Sequence, residues 1–473
     1  MANPRVKLKI GTVLLAFLLM TVPAQAFFRN LCHGELGNAR VDPIVAPGEP
    51  SQHLHVLFGA SNIGFDPTLE ELLDSNCTSC MVLQDKSVYW APRMYFQHAN
   101  GTFQIIPTSG GLTAYYFTES DLVYKDPVKA FPQNFRMVAG SPFKRTFYGP
   151  TPDPPTSEWT ASDMTQQSLM EKALGFNCLN YNAPPEASRE YHYLRNKTFL
   201  DAQCADGVRA ELMFPSCWNG KDLDSANHST HVAYPDGVQT GKCPDGFPVR
   251  LPAMFFETIY QTNLFAGVDG EFAFSNGDPT GYGYHGDFMC AWDDGVLQDV
   301  IDTPSCNLPN QTSGNVGDCS VFKLQGVNDG TTCKMETPEA LQNEQVDFVQ
   351  QLPGNVQVQS GPQSATVGPV PGATAPPATS SPSANSTESP SPAVPTPGPT
   401  AEASAASSAA TQSPCTSGSQ RTITSSYMAN GVNVNMILIE EVVTVTVSDD
   451  ANPTGPFNRK RHVHKHGHQF GRL

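Results

Sequence analysis

The 473-residue chain carries 45 acidic against 28 basic side chains, a formal charge of −17. An acidic surface of that size repels nucleic acid and favours solubility. No apolar run reaches the roughly 20 residues that a helical membrane span needs, which argues against a transmembrane segment.

Residues 1–26 read as a secretory leader. Arg5, Lys7 and Lys9 form its positive start, Val13 to Met20 its apolar run, and Ala24-Gln25-Ala26 its small-residue cleavage signal. Loss of the leader would leave 25 basic against 45 acidic residues, a charge of −20. Export favours disulfides, so the twelve cysteines, "CTSC" (Cys77, Cys80) included, are expected to form a disulfide framework rather than a zinc or redox site. The sequons at Asn76, Asn100, Asn196, Asn227, Asn310 and Asn385 mark surface positions if glycosylated.

Residues 27–345 form the expected core domain, long enough for a large apolar interior. Regular helix is scarce there. A short helix is predicted over Pro67 to Leu73, and a longer one over Met164 to Leu174, capped by Asp163 with Gln166 and stopped by Gly175. Between them lie β-prone runs punctuated by Gly, Pro, Asn and Asp: "VYWAPRMYF", "FQIIP", "LTAYYF", "VRAELMF", "AMFFETIY" and "GEFAF". The expected class is mainly β, a disulfide-stapled sandwich-like domain with long ordered loops. Residues 346–418 are rich in Pro, Ser, Thr and Ala and read as a disordered stalk. Residues 419–448 read as a short β-rich segment, with one or two strands in "NGVNVNMILIEEVVTVTV". Residues 449–473 form a basic tail in which His462, His464, His466 and His468 alternate, a pattern suited to copper, nickel or zinc or simply to a charged end. "RKR" at 459–461 resembles a dibasic processing site.

Three segments of the core carry candidate chemistry. In "SQHLHVLFG", His53 and His55 lie two apart, so on a strand both rings leave one face about 7 Å apart, a spacing that can chelate one ion. In "NGDPTGYGYHGDF", Asp278, His285 and Asp287 sit among glycines that let backbone and ligand come close. "FPSCWNGKDLDSANHSTHVAYP" adds Asp222, Asp224, His228 and His231. Imidazoles and carboxylates together suit zinc, copper or manganese. The metal ligands expected are His53, His55, His228 and His285; Asp222, Asp224, His231 and Asp287 are the candidate catalytic groups. Against this stand plainer readings: buried hydrogen-bonding histidines, and a capped turn in which Asp222, Asp224, Ser225, Asn227 and Ser229 satisfy nearby backbone. Paired carboxylates, Asp222 with Asp224 or Asp278 with Asp287, would suit glycoside hydrolysis if folding sets them about 5 to 9 Å apart. Trp90, Trp218, Tyr282, Tyr284 and Trp292 can stack on sugar faces or fill the core. The chain lacks a G-x-S-x-G elbow, a P-loop and H-E-x-x-H.

The ordered series "DPIVAPGEPSQHLHVLFGASN", "CTSCMVLQDKSVYWAPRMYF", "FPQNFRMVAGSP", "CADGVRAELMFPSCWNGKDLDSANHSTHVAYP", "CPDGFPVRLPAMFFE" and "FSNGDPTGYGYHGDFMCAWDDGVLQ" resembles the domain-of-unknown-function family DUF1996 over roughly residues 40–310. The resemblance implies a secreted protein, mostly of filamentous fungi and basidiomycetes, sometimes joined to WSC carbohydrate-binding modules. It places His53, His55, Asp85, Lys86, Trp90, Trp218, Asp222, Asp224, His228, His231, Asp278, His285 and Asp287 at shared motif positions without assigning them a role. The chain departs from the family at Asn219, commonly Asp, and at Cys290, commonly polar, which suggests an extra disulfide. Two readings follow: a secreted protein bound to cell-wall or extracellular polysaccharide, or a metal- or carboxylate-dependent hydrolase or oxidase acting on extracellular polymers.

Overall fold

The computed structural model describes residues 26–118, 126–306 and 313–366, and two strands between 421 and 440. Leader residues 1–25, most of the stalk, the sequons Asn310 and Asn385, the dibasic run and the histidine tail lie outside the described residues. The core holds 17 strands in four sheets, every pairing between them antiparallel. Each β-prone run noted above forms strand. No helix among the described residues is long and apolar enough to cross a membrane.

Two five-stranded sheets make the body. The first runs Phe27–Cys32, Thr108–Phe117, Ala253–Tyr260, Val208–Met213, Leu174–Cys178. The second runs Gly37–Ala39, His55–Gly59, Val88–Pro92, His285–Met289, Arg136–Gly140. Alternation sends Val56, Phe58, Tyr89, Ala91, Met137 and Phe288 from one face of the second sheet into the main core. There they join Ala114, Tyr116, Leu212 and Phe256 of the first sheet. The opposite face of the second sheet buries Ala39, Leu57, Val88, Trp90, Val138 and Met289 in a second cluster. His55, His285 and Asp287 fall on that face. A four-stranded sheet built on Met94–His98 and a three-stranded one built on Cys217–Trp218 complete the core.

The packed core continues past residue 345. Phe348–Val349 pairs with Phe103–Ile105, and Leu352, 1 % exposed, packs with Leu54, Tyr95 and Phe103 while Val346, Val349, Val356 and Val358 lean on them. Composition hides this because the few valines and one leucine there are diluted by Gln and Pro.

The helices are shorter than the sequence predicts. The first spans Leu69–Leu73, with Thr68 and Glu71 forming its capping box. The second spans Gln166–Lys172, and Thr165, not Asp163, caps it. Asp163 instead accepts from Thr160, and Gly175 lies inside the next strand rather than ending the helix. Disulfides join Cys32–Cys80, Cys77–Cys333, Cys178–Cys204, Cys217–Cys243 and Cys306–Cys319. Both cysteines of "CTSC" are thus stapled, to different partners. The extra disulfide expected at Cys290 is not formed: its thiol is free and buried, 4.0 Å from the Phe131 carbonyl, and burial pushes its pKa up to about 12. Arg421–Ala429 and Val432–Glu440 form an antiparallel hairpin of their own.

Candidate metal centre

Three imidazoles meet on the outer face of the second sheet. His55 pairs with Pro92 on the central strand, and Asp287 pairs with Trp90, so the same register carries His285 level with Pro92. His55 and His285 therefore flank Pro92 on the two neighbouring strands. His53 comes from the segment leading into the strand, anchored where Ser51 N donates to Arg40 O (2.8 Å) and Arg93 N to Leu54 O (3.3 Å). Ring centroids lie 4.4 Å apart for His53–His55, 5.1 Å for His53–His285 and 6.0 Å for His55–His285. One nitrogen from each ring falls within 4.8 Å of the other two.

Backbone contacts decide which nitrogens face inward. His55 Nδ1 lies 3.1 Å from Val41 O, and His285 Nδ1 lies 2.9 Å from Gly283 O. A carbonyl only accepts, so both Nδ1 atoms carry the proton and both Nε2 atoms present a lone pair. His285 Nε2 sits 3.1 Å from His53 Nε2, while His55 Nε2 is buried without a hydrogen-bond partner. Two nitrogens each about 2.0–2.1 Å from a tetrahedral ion would lie roughly 3.3–3.4 Å apart, close to the His53–His285 separation. Carbonyl acceptors on the far ring nitrogen are how metal-ligating histidines are usually oriented.

The centre is nearly dry. His53, His55 and His285 are 9 %, 0 % and 2 % exposed. Burial, with the neighbouring imidazoles and Arg145, holds His53 well below the ordinary histidine range; burial and His285 do the same to His55. Burial brings His285 down to about 4. All three rings are thus neutral, the form that binds metal.

Asp287 shares the face but not the centre. Neither carboxyl oxygen has a hydrogen-bond partner; burial, and then Asp42, raise its pKa well above the usual carboxylate range. Asp42 is itself raised by burial, although it accepts from Ile44 N and Val45 N.

The other candidates are placed apart from the three histidines. His231 is held on both nitrogens, with Nε2 donating to Arg136 O (2.8 Å) and Nδ1 accepting from Ser225 Oγ (3.0 Å). His228 takes a left-handed φ of 57° and bonds the Asp224 carboxylate at 2.9 Å; its carbonyl accepts from Val138 N along the sheet edge. Asp222 accepts from Asn219 Nδ2 (2.9 Å), while Asn219 Oδ1 accepts from Asp222 N (3.0 Å). The stretch 214–235 is therefore a turn-rich loop pinned along Arg136–Gly140 and stapled by Cys217–Cys243, and Asp222 and Asp224 are occupied in capping it. Asp278 is a loop organiser: it accepts from Thr280 N, Thr280 Oγ1 and Gly283 N and lies 3.7 Å from Arg145.

Among the aromatics, Trp90, Tyr284 and Trp292 are buried core. Trp218 is half-buried and donates Nε1 to Asp222 O (2.7 Å). Tyr282 stacks on Phe147 at 6.0 Å and lines an open cleft. Asp85 ties the two large sheets together, accepting from Asn30 (2.7 Å) and from Tyr89, and Lys86 donates to Ser75 O (3.1 Å).

Sequence reasoning missed two groups. Arg145, fully buried, donates to the carbonyls of Gln359, Pro142, Lys144 and Asn276 beside the centre. On the outer face of the first sheet, Glu211 and Glu257 stand directly opposite each other, bridged by Arg209 at 2.6 and 3.2 Å, with Tyr115 donating to Glu257 (2.6 Å). The alternation of "RAE" places Arg209 and Glu211 on one face, but only the strand register reveals Glu257 across from them.

No curated protein and no solved structure matches the chain. The model of a domain of unknown function, DUF1996, matches residues 42–292, a span that contains all three histidines and their carbonyl partner at Gly283. The match covers more than half of the 473 residues, and the chain belongs to the DUF1996 family.

Proposed function

We propose that the core domain is a transition-metal-binding domain of an exported protein, holding one zinc or copper ion through His53, His55 and His285. The observation that carries this reading is the convergence of the imidazoles, with the Nδ1 atoms of His55 and His285 turned outward onto backbone carbonyls and their Nε2 lone pairs turned inward. Three neutral nitrogen ligands and no thiolate suit zinc or copper better than a hard cation. Such an ion supplies Lewis acidity or, if copper, one-electron redox chemistry. The residues fix three ligands and leave a further position on the side of His53, the most exposed of the three rings. Burial to this depth admits water or a small molecule more readily than a polymer strand, so it favours metal holding or small-molecule chemistry over direct cleavage of an extracellular polymer. A carboxylate-only hydrolase has less support, since Asp222, Asp224 and Asp278 are engaged in local hydrogen bonds.

The test is metal analysis of the full chain with His462, His464, His466 and His468 changed to alanine, so that the tail cannot contribute. One equivalent of zinc or copper, lost in His285→Ala, is expected. Sub-stoichiometric metal after reconstitution with either ion would overturn the reading. Association with cell-wall or extracellular polysaccharide has its own support in the cleft lined by Tyr193 and Tyr282. Retention on insoluble chitin, β-glucan or cellulose measures it, and a protein that stays soluble with all three would remove it.

A further inference from the structure

A second candidate site is a cleft whose walls include none of the three histidines. It has a volume of about 930 Å³, and its walls include Tyr193, Asn196, Asp201, Asp269, Glu271 and Tyr282, within the size range of ligand clefts. Tyr193 and Tyr282 line it with ring centroids 6.4 Å apart and planes tilted by 55°, and Phe147 stacks on Tyr282 at 9° between planes. Asp201 ties one wall to the other by accepting from Gly267 N (3.0 Å). Leu194 N donates to Thr280 O (2.8 Å), fixing the segment that carries Tyr193 and Asn196.

Asn196 is also the first residue of the sequon Asn196-Lys197-Thr198. It is exposed and caps the helix Lys197–Gln203 through Oδ1, which accepts from Phe199 N at 2.9 Å. An N-linked sugar replaces only a proton on Nδ2, so cap and glycan are compatible. Lys197 also lines the cleft, where it pairs with Asp201 and lies over the rings of Phe96 and Phe272. The other described sequons, Asn76, Asn100 and Asn227, are exposed and line neither this cleft nor its smaller neighbour.

We infer that Asn196 carries an N-linked oligosaccharide whose inner sugars lie in this cleft against Tyr193 and Tyr282. Asn196 Nδ2 forms the bond to C1 of the sugar, the C1–O bond to a lipid diphosphate donor breaks, the amide gives up one proton, and the lipid diphosphate leaves. The secretory leader supplies the route to that donor. The tether then sets an effective concentration in the millimolar range for a short linker, so the attached glycan outcompetes free saccharide for the tyrosines. Sugar faces stack on aromatic rings, and hydroxyls donate to Asp269 and Glu271. The inference is independent of the metal reading. It is the alternative to polysaccharide binding in this cleft, since an attached glycan seated there would keep chitin, β-glucan or cellulose off Tyr193 and Tyr282.

The test uses the full chain secreted from an N-glycosylating eukaryotic host. Peptide mapping is expected to find Asn196 occupied. Peptide-N-glycosidase should release that glycan at least tenfold more slowly from the native protein than from the denatured one. Tyr282→Ala, with Tyr193→Ser as a second variant should the first not fold, should keep Asn196 occupied while restoring fast release. An unmodified Asn196, equal release rates from native and denatured protein, or protection unchanged in a folded tyrosine variant would each overturn the inference.

Discussion

Histidines in water are half-protonated near pH 6.5, and protons then displace metal. At the three-histidine centre burial lowers each pKa, that of His285 to about 4. A lowered pKa means that protons compete only at more acidic pH, so bound metal should survive dialysis at pH 5.5 in the chain lacking tail histidines. Atomic absorption before and after dialysis checks this, and complete loss at pH 6 would show the rings to be solvated. Asp287 offers a separate check. Its carboxyl oxygens are buried without a hydrogen-bond partner on a strand paired with Trp90 and Val138, and an unsatisfied buried polar group costs about 1–3 kcal/mol. Asp287→Val should therefore raise metal-free stability by about that much in denaturant unfolding. Part of the centre was legible: the spacing of His53 and His55 marks them as a pair. His53, however, lies in the bend before the strand His55–Gly59, so their ring centroids lie 4.4 Å apart rather than the roughly 7 Å of two residues on one strand face. The Val41 and Gly283 carbonyls that orient His55 and His285 carry no side-chain signature, so they were invisible. His228 and His231 misled because the Asp and Asn side chains around them accept from nearby backbone N–H groups and hold the stretch as a capped turn.

Strand Arg136–Gly140 connects the two halves of that contrast. Its backbone takes the loop of His228 and His231 on one edge and pairs with the strand of His285 on the other. Gly140 ends it with φ of 83°, and a Cβ there would meet Tyr284 O at 2.6 Å and His285 Cα at 3.0 Å. Gly140→Ala should cost about 1–3 kcal/mol, the range for a strained backbone position, and should weaken metal binding by moving His285. Gly101 has a similar φ of 86° but open space around its Cβ position, so Gly101→Ala should leave metal titration unchanged. Equal effects of the two on metal affinity would mean that strain, not displacement of His285, is responsible. The strands themselves were readable, because β-branched and aromatic runs between turn residues suit a half-buried pleat. The helix at 166–172 was read too long at both ends: Thr165 outcompetes Asp163 as cap, and the pairing of Leu174–Cys178 with Val208–Met213 takes over the residues expected to finish the helix.

The family match ends at residue 292, yet later residues complete the scaffold around the centre. Cys333 is stapled to Cys77 across 256 residues, and a disulfide closing so long a loop contributes typically 2–4 kcal/mol. Further on, Leu352 closes the cluster of Leu54, Tyr95 and Phe103, and Leu54 lies between His53 and His55. Gly354 fits against Gln52 O, where a Cβ would come within 2.0 Å, and Gln359 O accepts from Arg145 Nε at 2.7 Å. Residues 346–366 therefore act on the backbone that presents the histidines, although no ligand comes from them. A chain ending at 345 loses that cover. Removing one buried leucine side chain alone costs about 2–5 kcal/mol, so this chain should melt well below one ending at 366 and bind metal more weakly. A chain ending at 366 should match the full length in melting temperature and in metal affinity at the centre. Calorimetry and metal titration of the two truncations decide the matter. If the shorter chain melted within about 2 °C of the longer, a shift worth under about 1 kcal/mol, residues 346–366 would be an ornament on a centre that the family domain already holds in place.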